Sequence, residues 1–146
     1  MKNETNNSIG DKAFVESLIP QKNPFVMVDT LYSYSETELV SGFKVPDNAI
    51  FLDNESFVES GIIEHMAQSV ALHTGYQYFL RNEQAPTGYI GSVNKLEIKK
   101  LPKLHDEITT IVTILQEFAG ITMVDVVSRL HNIEIAKGQM KTVLAK

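Results

Sequence analysis

Between Gly61 and Phe79 the chain carries a single carboxylate, Glu64, in the run Gly61-Ile62-Ile63-Glu64-His65-Met66-Ala67-Gln68 and its apolar continuation. A helix of this composition is hydrophobic on most of its circumference and must be wrapped by other structure, where an ionised carboxylate is costly unless partners or chemistry hold it. Gln68 follows Glu64 at i+4 and Gly61 precedes it at i−3, so the three share one stripe. That gives a narrow polar seam with a small residue at one end, the arrangement expected where a buried helix meets a ligand. His65 projects up to about a third of a turn from Glu64 and is the best placed of the histidines to assist, although spacing alone does not say whether it reaches the same cavity. His73 falls on the far side of the helix, as a packing or interface residue. His105 and His131 lie in a basic turn and at a strand end, on the surface. Glu64 and His65 with His73 lack the i, i+3 or i, i+4 spacing of helical metal ligands, and no Gly-x-Ser-x-Gly elbow occurs, so neither a metal site nor a nucleophilic serine is expected.

Composition narrows the classes further. With 146 residues, 43% of them apolar, the chain is expected to form one ordinary domain. It has no cysteine, which excludes disulfides, thiolate catalysis and cysteine metal sites. Residues 1–10 are polar and asparagine-rich, read as a disordered tail without the apolar core of a signal peptide; residues 11–146 are read as the domain. No apolar run approaches the ~20 residues of a membrane span, and the cytoplasm is the expected compartment. A net charge of −5 argues against nucleic-acid binding, which needs a basic face. One basic cluster, Lys95, Lys99, Lys100 and Lys103, stands out as either a solvated strand edge or a landing site for an acidic partner.

The elements that must position these residues follow from period and punctuation. Asp11 to Ile19 reads as a short amphipathic helix stopped by Pro20. Strands are expected over Phe25–Ser35 and Glu38–Val45, broken at Pro46, and a loop leads from Asp47 to Glu55. Ser56 and Glu59 have the capping-box spacing, which predicts a helix from Phe57 to Leu80. Gly88–Lys100, Glu107–Phe118, Gly120–His131 and Glu134–Ala145 are rich in Ile, Val and Thr, with reversals at Ala119-Gly120 and His131-Asn132. Two strands, one long apolar helix and four strands predict an α+β domain whose sheet curls around one central helix. Ala67, Ala71 and Gly75 recur at every fourth position, which predicts a close approach of that helix to the sheet.

Two motifs carry a family resemblance. Ile19-Pro20-Gln21-Lys22-Asn23-Pro24-Phe25-Val26-Met27-Val28-Asp29 resembles the Leu-Pro-His-Arg-Tyr-Pro-Phe-Leu-Leu-Val-Asp opening of hotdog-fold 3-hydroxyacyl-[acyl-carrier-protein] dehydratases. Glu64-His65-Met66-Ala67-Gln68 is similar to that family's Glu-Ala-Met-Ala-Gln, and the likeness continues through residues 88–100 to Ala136-Lys137-Gly138. It is greatest to the divergent branch of aryl-polyene and flexirubin-type pigment synthesis, whose helix reads Glu-aromatic-Met-Ala-Gln and continues to an Ala-x-His-x-Gly like residues 71–75. The resemblance implies a hotdog fold, a dimer joined at an edge strand with its clefts at the interface, and a substrate carried as a thioester on acyl-carrier protein or coenzyme A. It implies no cofactor. Glu64 then handles the β-hydroxyl, and Phe51, Asn54 and Phe57 join Gly61 and Gln68 around the substrate, with the lysine cluster receiving the carrier. One departure is large. Where the family has a histidine in the loop before the helix, which removes the α-proton, this chain has Ile50, and Val58-Glu59 replaces the Pro-Gly that precedes the helix.

Three functions compete for these residues. The chain is an active dehydratase using Glu64 with His65; or a non-catalytic subunit completing a heterodimer with an intact dehydratase; or a thioesterase in which Asp53 or Asn54 supplies a polar group.

Overall fold

The computed structural model describes residues 8–145. Asp11 caps a short helix, α1 (Lys12–Leu18), by accepting from the Phe14 amide, and the chain turns extended at Ile19 before Pro20. Most of the expected tail lies outside the described residues. Its last part is hydrogen-bonded: the amides of Ile9 and Gly10 donate to the Leu31 carbonyl, and the Leu31 amide donates to the Gly10 carbonyl.

The first strand, β1 (Thr30–Tyr34), is shorter than the expected Phe25–Ser35. Phe25 to Met27 instead form a strap along the central helix, because side chains of that helix take the strap's backbone groups. The second strand, β2 (Glu38–Lys44), pairs with β1. A hairpin of two-residue strands follows, β3 (Leu52–Asp53) and β4 (Ser56–Phe57), turning on Asn54 and Glu55 at φ of 55° and 80°. This hairpin corrects the expected start of the helix. Ser56 is not its cap: Phe57 and Val58 donate their amides to Pro102 and Phe51, so the chain stays extended until Val58, which caps the helix without a side-chain bond. The central helix, α2, covers Glu59–Leu80.

The remaining strands are β5 (Gly88–Ile98), β6 (Glu107–Phe118), β7 (Ile121–Leu130) and β8 (Ile133–Leu144). Positive φ at Ala119 and Gly120, and at His131 and Asn132, closes the two tight reversals as the strand twist requires. The sheet runs β1-β2-β6-β7-β8-β5, with every neighbouring pair antiparallel. Inward-phase side chains of the strands, Ile108, Val112, Val124, Val126 and Met140 among them, form one core with Ile62, Met66 and Leu72 of α2. The expected α+β order is therefore present, with the small hairpin added. Of the Ala67, Ala71, Gly75 stripe, Gly75 marks a close approach to α1, since a carbon added there would lie 2.0 Å from the Leu18 carbonyl oxygen, whereas Ala67 and Ala71 line a cavity between the helix and the start of β5. Among the described residues no helix is long and apolar enough to cross a membrane.

Candidate functional site

Glu64 lies in the second turn of α2 and is half-buried. Its Oε2 accepts from Gln68 Nε2 at 2.8 Å, as the i+4 spacing predicts. Gln68 is fully buried, and its carboxamide is oriented without ambiguity. The Met27 amide can only donate, so the Gln68 oxygen faces it at 2.7 Å; the NH2 group then donates to the Phe25 carbonyl at 2.8 Å and to Glu64. Glu64 thus receives an N–H donor whose position is set by the strap.

His65, next to Glu64 in sequence, is enclosed in the core, which corrects its expected role as a reacting group. Its ring has no exposed surface and stacks on Phe43 with centroids 5.9 Å apart. Nδ1 lies 2.6 Å from the Met27 carbonyl oxygen and Nε2 lies 2.7 Å from Thr110 Oγ1. A carbonyl only accepts, so Nδ1 carries the proton, and Nε2 accepts from the Thr110 hydroxyl, which in turn accepts from Ser128 Oγ at 2.6 Å. Burial penalises the charged ring and lowers its pKa to about 4.

Of the other expected substrate contacts, Phe57 is fully buried and packs on Phe43, so it belongs to the core. Gly61 is a packing glycine, since a carbon added there would lie 2.6 Å from the Phe57 ring and 2.8 Å from Phe51 Cβ. Phe51 is half-buried against the core, and Asn54 is exposed at the tip of the β3–β4 hairpin. Ile50 is 43% exposed in the loop just before that hairpin. His73 is a packing residue whose Nε2–H donates to the Ser35 carbonyl and whose ring lies against Tyr34. His105 and His131 are exposed. Lys95, Lys99, Lys100 and Lys103 are all exposed, but Lys99 is paired with Glu134 at 2.5 Å.

A cavity of about 350 Å³ lies beside α2, between Ala67, Ala71, Gly75, the end of α1 and the start of β5. Sequence reasoning missed the strap's role and the Thr110–Ser128 pair. It also missed Asp29, whose carboxylate accepts from the Lys44 amide and from Thr30, fastening the start of β1 to the end of β2; burial raises its pKa. Thr110 and Ser128 were visible as polar residues flanked in the inward phase of their strands by Ile108 and Val112 and by Val126 and Leu130.

A six-stranded antiparallel sheet packed on one long central helix defines a hotdog-fold protein. The sequence matches the ApeP-like family, described as ApeP dehydratase, over residues 13–143, and the chain belongs to that family. Similar solved structures include the dehydratase heterocomplex ApeI:P from Xenorhabdus doucetiae, with a TM-score of 0.84 and 14% identity over 90% of this chain and 91% of that one. Cj0977, a sigma28-regulated virulence protein from Campylobacter jejuni, matches at 0.73 and 14% over 97% and 94%. A hypothetical thioesterase with coenzyme A from Streptococcus pneumoniae TIGR4 matches at 0.64 and 12% over 91% and 93%. At these identities the likeness carries the fold alone. Among curated protein sequences none matches the chain.

Proposed function

We propose that this chain works in the dehydration of 3-hydroxyacyl thioesters carried by acyl-carrier protein, and that it supplies the acid of an acid/base pair whose base belongs to a second hotdog protomer. In that reaction the partner's base removes the α-proton, the C–H electron pair becomes the new double bond, and the β C–O bond breaks. Glu64 gives its proton to the departing hydroxyl, which leaves as water. The observation that carries this reading is the pairing of a reachable Glu64 with Gln68, in a chain where Ile50 replaces the loop histidine and His65 is enclosed. Half of the chemistry is present and half is missing. Dimerisation with a hotdog protomer fits the similar heterocomplex, and the outer edge of β5 has no partner strand among the described residues. Lys95, Lys100 and Lys103, exposed on an acidic chain, are the groups that would attract an acidic carrier.

The same observation favours a second reading, in which the chain is the non-catalytic half of a heterodimer. One experiment separates them: hydration of crotonyl and longer 2-enoyl thioesters, by this protein alone and mixed with an intact hotdog dehydratase. The mixture should be active, and Glu64→Gln in this chain should lower its turnover by about 10²- to 10⁴-fold with the fold intact. Carrier-bound substrate should be preferred to the coenzyme A thioester, a preference erased by Lys100→Glu with Lys103→Glu. Mixture activity indifferent to Glu64→Gln would make this chain the structural half. Activity of the isolated chain that survives Glu64→Gln would remove Glu64 from the mechanism, and release of free thiol would point to hydrolysis.

A further inference from the structure

We infer that His65 is a positioning residue for Glu64, acting through the Phe25–Met27 strap and Gln68, by way of a directed chain of hydrogen bonds that begins in the sheet. Ser128 Oγ donates to Thr110 Oγ1 at 2.6 Å, Thr110 donates to His65 Nε2 at 2.7 Å, and His65 Nδ1–H donates to the Met27 carbonyl at 2.6 Å. The Met27 amide donates to Gln68 Oε1 at 2.7 Å, and Gln68 Nε2 donates to Glu64 Oε2 at 2.8 Å. The carbonyl of Met27 can only accept and its amide can only donate, and both are taken by side chains of α2, so the sheet end of the chain and the Glu64 end meet at this residue.

The strap needs this clamp. It precedes β1 and pairs with no strand among the described residues; apart from the Phe25 amide, which donates to the Lys22 carbonyl, the backbone groups of Phe25 and Met27 are held by two side chains of one helix, at positions 65 and 68. If the imidazole is removed, the Met27 carbonyl loses its donor inside the core, the strap moves to find another, and the Met27 amide that orients Gln68 moves with it. The N–H donor on Glu64 is then no longer fixed. A neutral imidazole suits this task, since one nitrogen must donate and the other accept; burial, which lowers the His65 pKa, keeps it in that form. The pentapeptide 64–68 thus holds the reacting carboxylate, the amide that orients it and the clamp that orients the amide.

The inference rests on the reading of Glu64 as the acid, and its test is chosen to separate the two. In the active mixture His65→Phe, which keeps the ring volume and removes both hydrogen bonds, should lower kcat at least tenfold with KM within twofold. His65→Asn, whose amide NH2 overlies Nδ1 and reaches Met27, should stay within threefold of the natural protein. In the unmixed protein, nitrogen NMR should find His65 as the neutral Nδ1–H tautomer from pH 5 to 8. The Gln68 side-chain amide signals should be dispersed and slowly exchanging in the natural and His65→Asn proteins and collapsed in His65→Phe. A His65→Phe protein with lower thermal stability but full kcat would overturn positioning, as would His65→Asn failing like His65→Phe or an imidazole that titrates near 6.5. If no mixture is active, or Glu64→Gln has no effect, the functional reading fails, and the Gln68 signals still decide the chain: unchanged in His65→Phe, they overturn it.

Discussion

The imidazole of His65, enclosed among Met27, Phe43 and Thr110, is held neutral because burial away from solvent disfavours its charged form. That has a consequence for stability. Its pKa is about 4 in the folded protein against 6.5 for a free histidine, so between these values the unfolded chain binds the proton and the folded one does not. Stability therefore falls as the pH is lowered through 6.5 towards 4, by about 3 kcal/mol from this group once both limits are passed. His73, also lowered by burial, adds in the same direction, whereas Asp29, raised above 3.8 by burial, works the other way as the pH falls. Urea unfolding at pH 7, 5.5 and 4.5 should show the decline, and His65→Phe should remove the largest part of it. An identical pH slope in that variant would mean that His65 is protonated in the folded protein.

At the scale of elements, what was legible in the sequence is what neighbours in the chain determine. The pairing of Glu64 with Gln68 follows from helical spacing, and β6 from Glu107 to Phe118 follows from its composition and its turn residues. The start of α2 was misread because Ser56 and Phe57 are committed to a hairpin and to the Pro102 carbonyl, a partner about 45 residues away that no local capping rule registers. The surroundings of His65 were hidden for the same reason: Met27 and Thr110 lie 38 and 45 positions from it. The small-residue stripe of α2 announced a close approach without naming its partner. That partner is the backbone of α1, which cannot yield as a flexible side chain would: a carbon at Gly75 would sit 2.0 Å from the Leu18 oxygen. Gly75→Ala should therefore cost about 1–3 kcal/mol by pushing α1 away. Gly91→Ala, where the nearest atom is 3.5 Å away, should stay within about 0.5 kcal/mol. Equal stability of the two variants in denaturant unfolding would refute the tight α1–α2 contact.

For the whole molecule the informative contrast is between the two edges of the sheet. At the outer side of β1, Ile9 and Gly10 hydrogen-bond to Leu31, which blunts that edge. β5, at the other end, is 11 residues long and has no neighbour on its outer side among the described residues, and Tyr89, Ile90 and Val93 are 59%, 40% and 37% exposed. A long apolar edge of this kind recruits other strands unless it is occupied, so its presence argues for a strand of a second protomer. Continuing the sheet through β5 would also bring the partner towards the cavity between Ala67, Ala71 and the start of β5. Ile90→Lys with Val93→Lys tests this, since the side chains are 40% and 37% exposed in the isolated protomer and charges there oppose an incoming strand. At micromolar concentration the natural protein, alone or with its hotdog partner, should sediment as a dimer. The double variant should sediment as a monomer of 16.3 kDa with an unchanged circular dichroism spectrum, and the thioester hydration activity of the mixture should vanish with the dimer. A double variant that still dimerises would move the interface away from β5, and one that is monomeric yet fully active would place the whole reaction within a single protomer.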